Sequence, residues 1–352
     1  MKAILLAGGK GTRLRPLTIH TPKPIVPIFD RAFLHYQIDL LKQVPEIDEV
    51  ILSLNYQPRR IEEIFGDGAG TGVRIRYVVE PAPLGTGGAI RFAAQGVDET
   101  LVVFNGDVMT SVDVNGVLAV HRERKAKATI VLTPVDNPSA YGLVETHRDG
   151  AVKRFLEKPG ADEITCNTIN AGIYVLEPDT FERIPKEVSY SIERAYFPSL
   201  VDRGEPFFAY IDRGYWIDIG TPEKYAQVHH DMFDGRFVGG VFATADRHQP
   251  IVSSDARIEE GVRLEAPCFV DSGAHIKAGA VIEPYSVIGR GVVVEEEAHV
   301  ASSIIWPNTR IGQHASVQGA ILARNCHLGR NVTVTGAAVL GDKTALTEFT
   351  RI

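Results

Sequence analysis

Aliphatic side chains recur at every sixth position over the last third of the chain. A helix requires a period of about 3.6 residues and an amphipathic strand a period of about 2, so neither explains this pattern. Hexads are typical of a β-helix, in which each coil stacks its aliphatic side chain on the coil below. The repeat runs through Val252, Ile258, Leu264, Val270, Ile276, Ile282, Ile288, Val294 and Val300 with Trp306 next in line, and after two one-residue slips through Ile311, Val317, Ala323, then Leu328, Val334, Leu340 and Leu346.

The chain before residue 225 follows a different pattern, in which short β-rich runs alternate with amphipathic stretches. Such alternation predicts a mostly parallel sheet with helices on both faces. We expect one domain over residues 1–249, including a last helix and a connector, and a second over residues 250–352. The predicted strands are 3–7, 49–54, 76–79, 101–105, 129–133, 173–176 and 207–211, and the predicted helices are 33–43, 58–65, 87–94 and 114–125.

Composition excludes several classes of protein. Apolar residues make up 44% of the chain and the net charge is −7, so no global field attracts it to nucleic acid or to anionic lipid. Any anionic ligand must therefore be bound by a local cluster of basic residues. Three scattered cysteines give neither a disulfide framework nor a zinc pattern. No segment reads as a signal sequence or a membrane span, so we expect a cytoplasmic protein.

A glycine-rich turn follows the first predicted strand and contains Gly8, Gly9 and Gly11. Glycines in such a turn let backbone N–H groups approach phosphate oxygens without obstruction by a Cβ atom. The spacing matches neither the dinucleotide-binding nor the P-loop pattern. Arg13 can chelate phosphate oxygens with its guanidinium fork and Lys23 adds a point charge. We therefore expect this turn to bind phosphate.

Seven motifs, in order, resemble those of the nucleoside-diphosphate-sugar pyrophosphorylases. The first is GGxGTRLxPLT at 8–18, followed by Lys23-Pro24. The others are EPAPLGTGGA at 80–89, NGD at 105–107, YG at 141–142, FLEKP at 155–159, NAGIY at 170–174 and YWIDIGTP at 215–222. The resemblance implies an enzyme that joins a nucleoside triphosphate to a sugar 1-phosphate and releases pyrophosphate. It also implies a Rossmann-like sheet domain followed by a left-handed parallel β-helix of about five coils.

The same resemblance assigns the candidate site residues. Catalytic roles fall to Arg13, Lys23, Asp107, Lys158 and Asp218. Nucleotide contacts fall to Leu6, Ala7, Gly8, Gly9, Gly11, Thr12, Arg13, Glu80, Pro83, Leu84, Gly85 and Thr86, and sugar contacts to Gly142, Glu157, Lys158 and Asn170.

Two of these residues, Asp107 and Asp218, are candidate ligands of Mg²⁺. Asp107 comes directly after a hydrophobic strand, at the carboxyl edge of the sheet where open α/β folds bind ligands. Asp218 follows Trp216 in another apolar run. Mg²⁺ prefers a couple of carboxylates together with substrate phosphates, so the pair predicts a magnesium site.

Nucleotide and sugar are harder to assign. The PLGTGGA motif and the later SIER at 191–194 look most like mannose-1-phosphate guanylyltransferases. Relatives that use thymidine or uridine nucleotides usually have Gln where Glu80 stands, and a carboxylate can accept both N–H groups on the guanine edge. We therefore favour GTP and mannose 1-phosphate. Glucose 1-phosphate with dTTP or UTP is the alternative substrate pair.

Two further alternatives remain. The chain could be a regulatory paralogue that binds a sugar nucleotide without turning it over. The β-helix could instead be an acyltransferase that uses His275, His314 or His327, although each stands in the repeat without an obvious companion. A β-helix side or end also favours association, so we expect a homo-oligomer.

Overall fold

The computed structural model describes residues 1–352, apart from the side chain of Glu182. By its contacts the chain divides into two units, neither of which is continuous in sequence. The first unit comprises Met1–Lys10 and Gln37–Asp218, and the second comprises Gly11–Tyr36 and Ile219–Ile352. The division therefore falls inside the glycine-rich turn, between Lys10 and Gly11.

Thirteen strands precede the β-helix. They are β1 (Lys2–Leu6), β2 (Pro27–Ile28), β3 (Arg31–Ala32), β4 (Glu49–Leu54), β5 (Arg74–Val79), β6 (Leu101–Asn105), β7 (Val108–Thr110), β8 (Ala128–Pro134), β9 (Gly142–Thr146), β10 (Val152–Glu157), β11 (Thr168–Leu176), β12 (Phe207–Ile211) and β13 (Trp216–Asp218). The α-helices are α1 (Leu34–Leu41), α2 (Pro58–Phe65), α3 (Gly85–Ala93), α4 (Val114–Glu123), α5 (Phe197–Asp202) and α6 (Pro222–Phe233).

The first unit is built on a nine-stranded sheet whose main path is β10-β9-β11-β6-β1-β4-β5. Neighbours β6, β1, β4 and β5 are parallel, which confirms the expected Rossmann-like core. Continuous apolar runs suit strands that are buried on both faces, and Val102, Val103 and Phe104 of β6 are fully buried. Strands β9, β10 and β11 are antiparallel to their neighbours on this path, so the sheet is mixed. The sequence patterns do not predict the short strands β7, β9, β10 and β13.

The hexad region of the second unit forms three parallel sheets of six, six and five strands, which confirms the β-helix. Its strands are β14 (Ile251–Val252), β15 (Arg257–Ile258), β16 (Arg263–Leu264), β17 (Cys268–Val270), β18 (His275–Ile276), β19 (Val281–Ile282), β20 (Ser286–Ile288), β21 (Val293–Val294), β22 (His299–Ala301), β23 (Ile304–Ile305), β24 (Arg310–Ile311), β25 (Ser316–Gln318), β26 (Ile321–Leu322), β27 (His327–Leu328), β28 (Thr333–Val334), β29 (Val339–Leu340) and β30 (Ala345–Leu346).

Two positions of the predicted repeat are wrong by one residue. Ile305 pairs with Ile288 below it and with Leu322 above it, so these residues continue the aliphatic stack. Trp306 and Ala323, which the hexad count predicts, each follow the stacked residue. Trp306 is nonetheless buried, and its Nε1 donates to the Tyr225 hydroxyl at 2.9 Å. Each slip therefore comes one hexad earlier than the sequence indicates, directly before Ile305 and directly before Leu322.

The segment Gly11–Tyr36 packs within the second unit against α6 and the β-helix. The Tyr225 hydroxyl of α6 donates to the Pro27 carbonyl. Phe29 contacts His229 and Phe269, with ring centroids 4.9 and 5.4 Å apart. A Cβ atom built on Gly341, in the last coil, would lie 3.2 Å from Cβ of Pro16. The segment that follows the glycine-rich turn is thus supported by the C-terminal part of the chain.

Buried His229 makes the second unit sensitive to acid. Its Nδ1 lies 3.0 Å from the Tyr225 carbonyl oxygen, its Nε2 is buried without a hydrogen-bond partner, and burial lowers its pKa to about 4. Between pH about 6.5 and 4 the unfolded chain binds a proton that the folded chain does not, so stability falls as the pH falls. We expect this to lower the free energy of unfolding by about 1.4 kcal/mol per pH unit in that range.

Urea unfolding of wild type and His229→Gln across this range measures the difference in slope. The variant should lack the one-proton contribution, whereas His248→Gln at an exposed position should keep the wild-type slope. Equal slopes in all three proteins would contradict the assignment.

No helix of the described residues combines the length and the apolar character needed to cross a bilayer.

Candidate active site

Four parallel strands end at one edge of the sheet, and the predicted nucleotide residues of the first unit lie there. Leu6, the last residue of β1, pairs with Ser53 of β4 and Asn105 of β6. The chain after β5 stays close, because the Glu80 N–H donates to the Leu54 carbonyl at 2.8 Å. Ligands of open α/β sheets bind at this carboxyl edge, so the position agrees with the expectation from sequence.

Glu80 holds the loop that precedes α3. Its Oε2 accepts from the Leu84 N–H at 3.1 Å and its Oε1 accepts from the Ser53 hydroxyl at 3.2 Å. A Cβ atom on Gly8 would lie 3.1 Å from Glu80 Oε1, so glycine allows the first turn to approach this carboxylate closely. Glu80 is also buried, and its two hydrogen bonds fix the loop to β4.

The remaining loop residues differ in exposure. Pro83 is exposed, Leu84 is buried, and Gly85 begins α3 with a φ of +68°. A Cβ atom on Gly85 would lie 2.8 Å from the Tyr190 carbonyl oxygen, so both its conformation and its surroundings require glycine. Gly9 has open space around its Cα, whereas Ala7 is tied to β4 by a hydrogen bond from its N–H to the Ser53 carbonyl.

Strand pairing brings the backbones of Asp107 and Asp218 to neighbouring positions. Strands β7 and β13 form a two-stranded antiparallel sheet in which Asp218 faces Val108, the residue after Asp107. Asp218 is 8% exposed, and its Oδ1 accepts from the Tyr141 hydroxyl at 2.9 Å. Two Asp residues from distant segments are thereby at neighbouring backbone positions; a metal ion shared by their carboxylates stays a prediction.

Gln37 of α1 is a positioning residue that the sequence reasoning missed. Its amide Nε2 donates to the carbonyl oxygens of Asn105 and Val108, each at 2.8 Å. These carbonyls flank the Asn-Gly-Asp turn, so a single buried amide fixes both ends of the segment that presents Asp107. Gln37 lies 70 positions before Asp107 in the sequence, and no local spacing indicates the contact.

Gly142 and Glu157 face each other across the β9–β10 hairpin. A Cβ atom on Gly142 would lie 2.9 Å from Glu157 Oε2, so glycine makes room for the carboxylate. Burial raises the pKa of Glu157, the charge of Glu193 raises it further, and Lys158 and Arg194 oppose this rise. Glu157 is therefore a half-buried carboxylate close to other charged groups, and such a carboxylate is a candidate acceptor for ligand hydroxyls.

Tyr141 links the Asp pair to the hairpin. Its carbonyl accepts from the Lys158 N–H at 3.1 Å while its hydroxyl donates to Asp218. Lys158 stands in a turn, where its backbone has a φ of +53°, and its side chain is exposed to solvent. The YG motif is visible in the sequence, but its bridging role depends on contacts across 77 positions.

Asn170 lies at a bulge of β11, and its side-chain amide bonds locally. Its Nδ2 donates to the Tyr174 hydroxyl and its Oδ1 accepts from the Gly172 N–H, both at 2.9 Å. These bonds shape the turn beside the hairpin. A sugar contact by Asn170 stays a prediction.

Gly11, Thr12, Arg13 and Lys23 belong to the second unit. Gly11 has a φ of +59°, and a Cβ atom there would lie 3.2 Å from Cβ of Lys23. The Gly11 carbonyl accepts from the Thr18 hydroxyl at 2.7 Å, which closes the loop behind the glycine. Arg13 is exposed in a short 3₁₀-helix (Thr12–Leu14), whereas Lys23 is 8% exposed. Phosphate binding by both stays a prediction.

Comparison with known proteins identifies the family of this chain. The Nucleotidyl transferase family model matches residues 2–235, and the GMPPB C-terminal domain model matches residues 264–352. Mannose-1-phosphate guanylyltransferase of Mycobacterium tuberculosis is 36% identical over 88% of this chain and 80% of its own length. UTP–glucose-1-phosphate uridylyltransferase of Synechocystis is 32% identical over 90% of this chain and 85% of its own length.

Among solved structures, HddC from Yersinia pseudotuberculosis complexed with GMP-PN is similar, with a TM-score of 0.54 and 29% identity over 64% of this chain and 96% of that chain. A thymidylyltransferase structure from Bacillus anthracis shares the fold, with a TM-score of 0.61 at 23% identity, over 68% of this chain and 97% of that chain. The chain belongs to the nucleotidyl transferase family and is a sugar-1-phosphate nucleotidyltransferase.

Proposed function

We propose that this enzyme joins GTP to mannose 1-phosphate, giving GDP-mannose and pyrophosphate, with Mg²⁺ held by Asp107 and Asp218. The pairing of β7 with β13 supports the proposal, because Asp218 pairs with Val108, the residue that follows Asp107. Similarity to guanylyltransferases named for mannose 1-phosphate, from bacteria and plants, supports the substrates.

The donor set fits Mg²⁺. This hard ion is usually bound by one or two carboxylates and takes its remaining oxygens from water and substrate phosphates. Within the described part of the chain, no group of three or more His, Cys, Asp or Glu side chains could hold a metal. A pair of carboxylates completed by the substrates therefore suits this site. When bound, the ion supplies positive charge near the nucleotide phosphates.

The chain's own residues bring two polyanions together. In the reaction, an oxygen of the sugar phosphate attacks the α-phosphorus of the nucleotide in line, and pyrophosphate leaves. Arg13 grips the triphosphate, Lys158 orients the attacking phosphate, and Lys23 adds positive charge. The attacking oxygen already carries charge and needs no general base, so positioning and electrostatics provide the catalysis.

Pyrophosphate release from the full-length chain tests this function, with GTP, dTTP and UTP each combined with mannose or glucose 1-phosphate. We expect the highest kcat/KM for GTP with mannose 1-phosphate. A higher value for UTP or dTTP with glucose 1-phosphate would favour the second candidate, which the uridylyltransferase relative supports. No release from any pair would favour a sugar-nucleotide-binding paralogue. A homo-oligomer in the cytoplasm, without nucleic-acid or membrane partners, stays our prediction.

Glu80 is the residue we propose for selecting the base. Guanine offers two adjacent donors that a carboxylate can accept, whereas thymine and uracil would turn a carbonyl oxygen towards it. Each Glu80 oxygen has a second acceptor position beyond the bonds from Leu84 and Ser53. The bond to Leu84 also supports a competing role, in which Glu80 only fixes the loop and backbone groups choose the base.

Glu80→Gln separates these roles. If Glu80 selects guanine, kcat/KM for GTP should fall by about tenfold to a hundredfold while dTTP and UTP lose less, since a charged hydrogen bond contributes about 1.5–3 kcal/mol. If Glu80 only fixes the loop, all three nucleotides should fall by similar factors. An unchanged ratio of kcat/KM for GTP to that for dTTP would therefore refute base selection by Glu80. Glu63→Gln, at an exposed position on α2, is the matched control.

A further inference from the structure

The segment at 191–194, with sequence Ser-Ile-Glu-Arg, has no role in the site described above. Its π-helix (Ile192–Tyr196) lies beside the first turn of α3. The N–H groups of Gly87 and Gly88 donate to the Tyr190 carbonyl at 2.9 and 3.1 Å, and the Tyr190 N–H donates to the Leu84 carbonyl at 2.8 Å. Tyr190, the residue just before the segment, therefore caps the first turn of α3, which follows the nucleotide loop.

Glu193 extends this contact through one oxygen of its side chain. Oε2 accepts from the Thr86 hydroxyl and from the Ser191 hydroxyl, both at 2.7 Å. Thr86 is fixed from its other side, because its Oγ1 accepts from the Ile192 N–H at 3.0 Å. No donor among the described residues reaches the other oxygen, Oε1.

Glu193 also lies near the residues predicted to bind the sugar. After burial, its charge is the largest influence that raises the pKa of both Glu157 and Tyr174. Tyr174 in turn accepts a hydrogen bond from Asn170. The π-helix that contains Glu193 also contacts β10, the strand that ends at Glu157, so the same short helix touches both the nucleotide loop and the strand that carries Glu157.

We propose that Glu193 couples the two substrate sites: Oε2 fixes Thr86 in the nucleotide loop, and Oε1 accepts a hydrogen bond from a hydroxyl of the sugar 1-phosphate. Two ionised carboxylates close together repel each other, and hydrogen-bond donors placed between them reduce this repulsion. A sugar ring, with several hydroxyl groups, supplies such donors to Glu157 and Glu193 together. This inference rests on the proposed function, since it requires a sugar phosphate beside the nucleotide.

The test compares Glu193→Gln in the full chain with Glu123→Gln, the same change at an exposed position on α4. KM is measured for the nucleotide, for mannose 1-phosphate and for its monodeoxy analogues. We expect Glu193→Gln to raise KM for the sugar phosphate by about tenfold or more, the effect of one hydrogen bond to a charged group. One deoxy analogue should bind wild type more weakly by a similar factor, yet cost the variant nothing further.

A second variant examines the other half of the link. Thr86→Val removes the hydroxyl that donates to Glu193 and leaves the carboxylate in place, and Thr86→Ser restores it. Thr86→Val should raise KM for the nucleotide while keeping the wild-type pattern across the deoxy sugars, and Thr86→Ser should recover it. The Thr86 pair keeps the proposal testable if Glu193→Gln folds poorly.

The outcomes are distinct. An active wild type in which Glu193→Gln behaves like Glu123→Gln would overturn this inference alone. Equal losses for every deoxy analogue in wild type and Glu193→Gln would also overturn it, because the carboxylate would then accept from no single hydroxyl. A wild type that forms no sugar nucleotide from any substrate pair would overturn the proposed function instead.

Discussion

Asp107→Asn and Asp218→Asn should each lower turnover by at least about a hundredfold, the effect of removing one main electrostatic contact. Asp107 directly precedes β7 and Asp218 pairs with Val108 of that strand, and amide oxygens hold Mg²⁺ more weakly than carboxylates do. Since both side chains are proposed to serve one ion, the double variant should lose far less than the product of the single losses.

Metal binding gives a second measurement that does not depend on turnover. Titration with Mn²⁺, followed by electron paramagnetic resonance in the presence of nucleotide, should show weaker binding in both variants. Asp98→Asn, which removes the same charge at an exposed position of the first unit, should match wild type. Multiplicative losses in the double variant, or unchanged Mn²⁺ affinity, would show that the two carboxylates do not share an ion.

Gly106→Ala should impair both folding and turnover. The Gly106 N–H donates to the Leu6 carbonyl at 3.0 Å, and a Cβ atom on Gly106 would lie 2.4 Å from that same oxygen. The obstacle is the backbone of a central strand, which cannot rotate away. We expect the free energy of unfolding to fall by about 3 kcal/mol. Turnover should fall by about a hundredfold because a shift of about 1 Å would displace Asp107.

Denaturant unfolding and kcat measure these two effects. Gly70→Ala is the matched control, because a Cβ atom there would meet nothing within 4 Å and Gly70 is exposed. Its stability should stay within about 1 kcal/mol of wild type. A Gly106→Ala protein with wild-type stability and turnover would contradict this prediction. It would mean that the turn can move away from the Leu6 carbonyl without a loss of folding free energy.

The hexad count predicted most of the β-helix because its cause is local. Each stacked aliphatic faces its equivalent one coil away, and Ile276, Ile282 and Ile288 are fully buried. The count failed at Ile305 and Leu322, where a coil is one residue shorter. Ile304, Ile305 and Trp306 are consecutive and all apolar. Residue type alone therefore could not choose between Ile305 and Trp306 as the stacked position.

The candidate site likewise contains residues that the sequence could predict and residues that it could not. Asp107 was predictable because it directly follows a buried apolar strand, and sheet edges bind ligands. Gln37, Tyr141 and Glu193 were not assigned roles, because their contacts join segments that are far apart in the sequence. No periodicity records a single buried amide that holds both ends of the Asn-Gly-Asp turn. Such residues require the tertiary structure.

The packing of Gly11–Tyr36 against α6 and the β-helix has a consequence for biosynthesis. The Pro27 carbonyl cannot form its hydrogen bond until Tyr225, which is 198 positions further along the chain, has been synthesised. At a translation rate of about 5–20 residues per second, that delay is about 10–40 s. Contacts of such long range also slow folding, because a large loop must close before they form.

On the ribosome, the hydrophobic side chains of this segment therefore emerge long before their partners. Phe29 must remain without α6 and the β-helix coils while most of the first unit is being made. Arg13 lies in the same segment, which reaches its final environment only after α6 and the β-helix have been made. A nascent chain released before its final coils are complete would leave this segment as a target for chaperones and proteases.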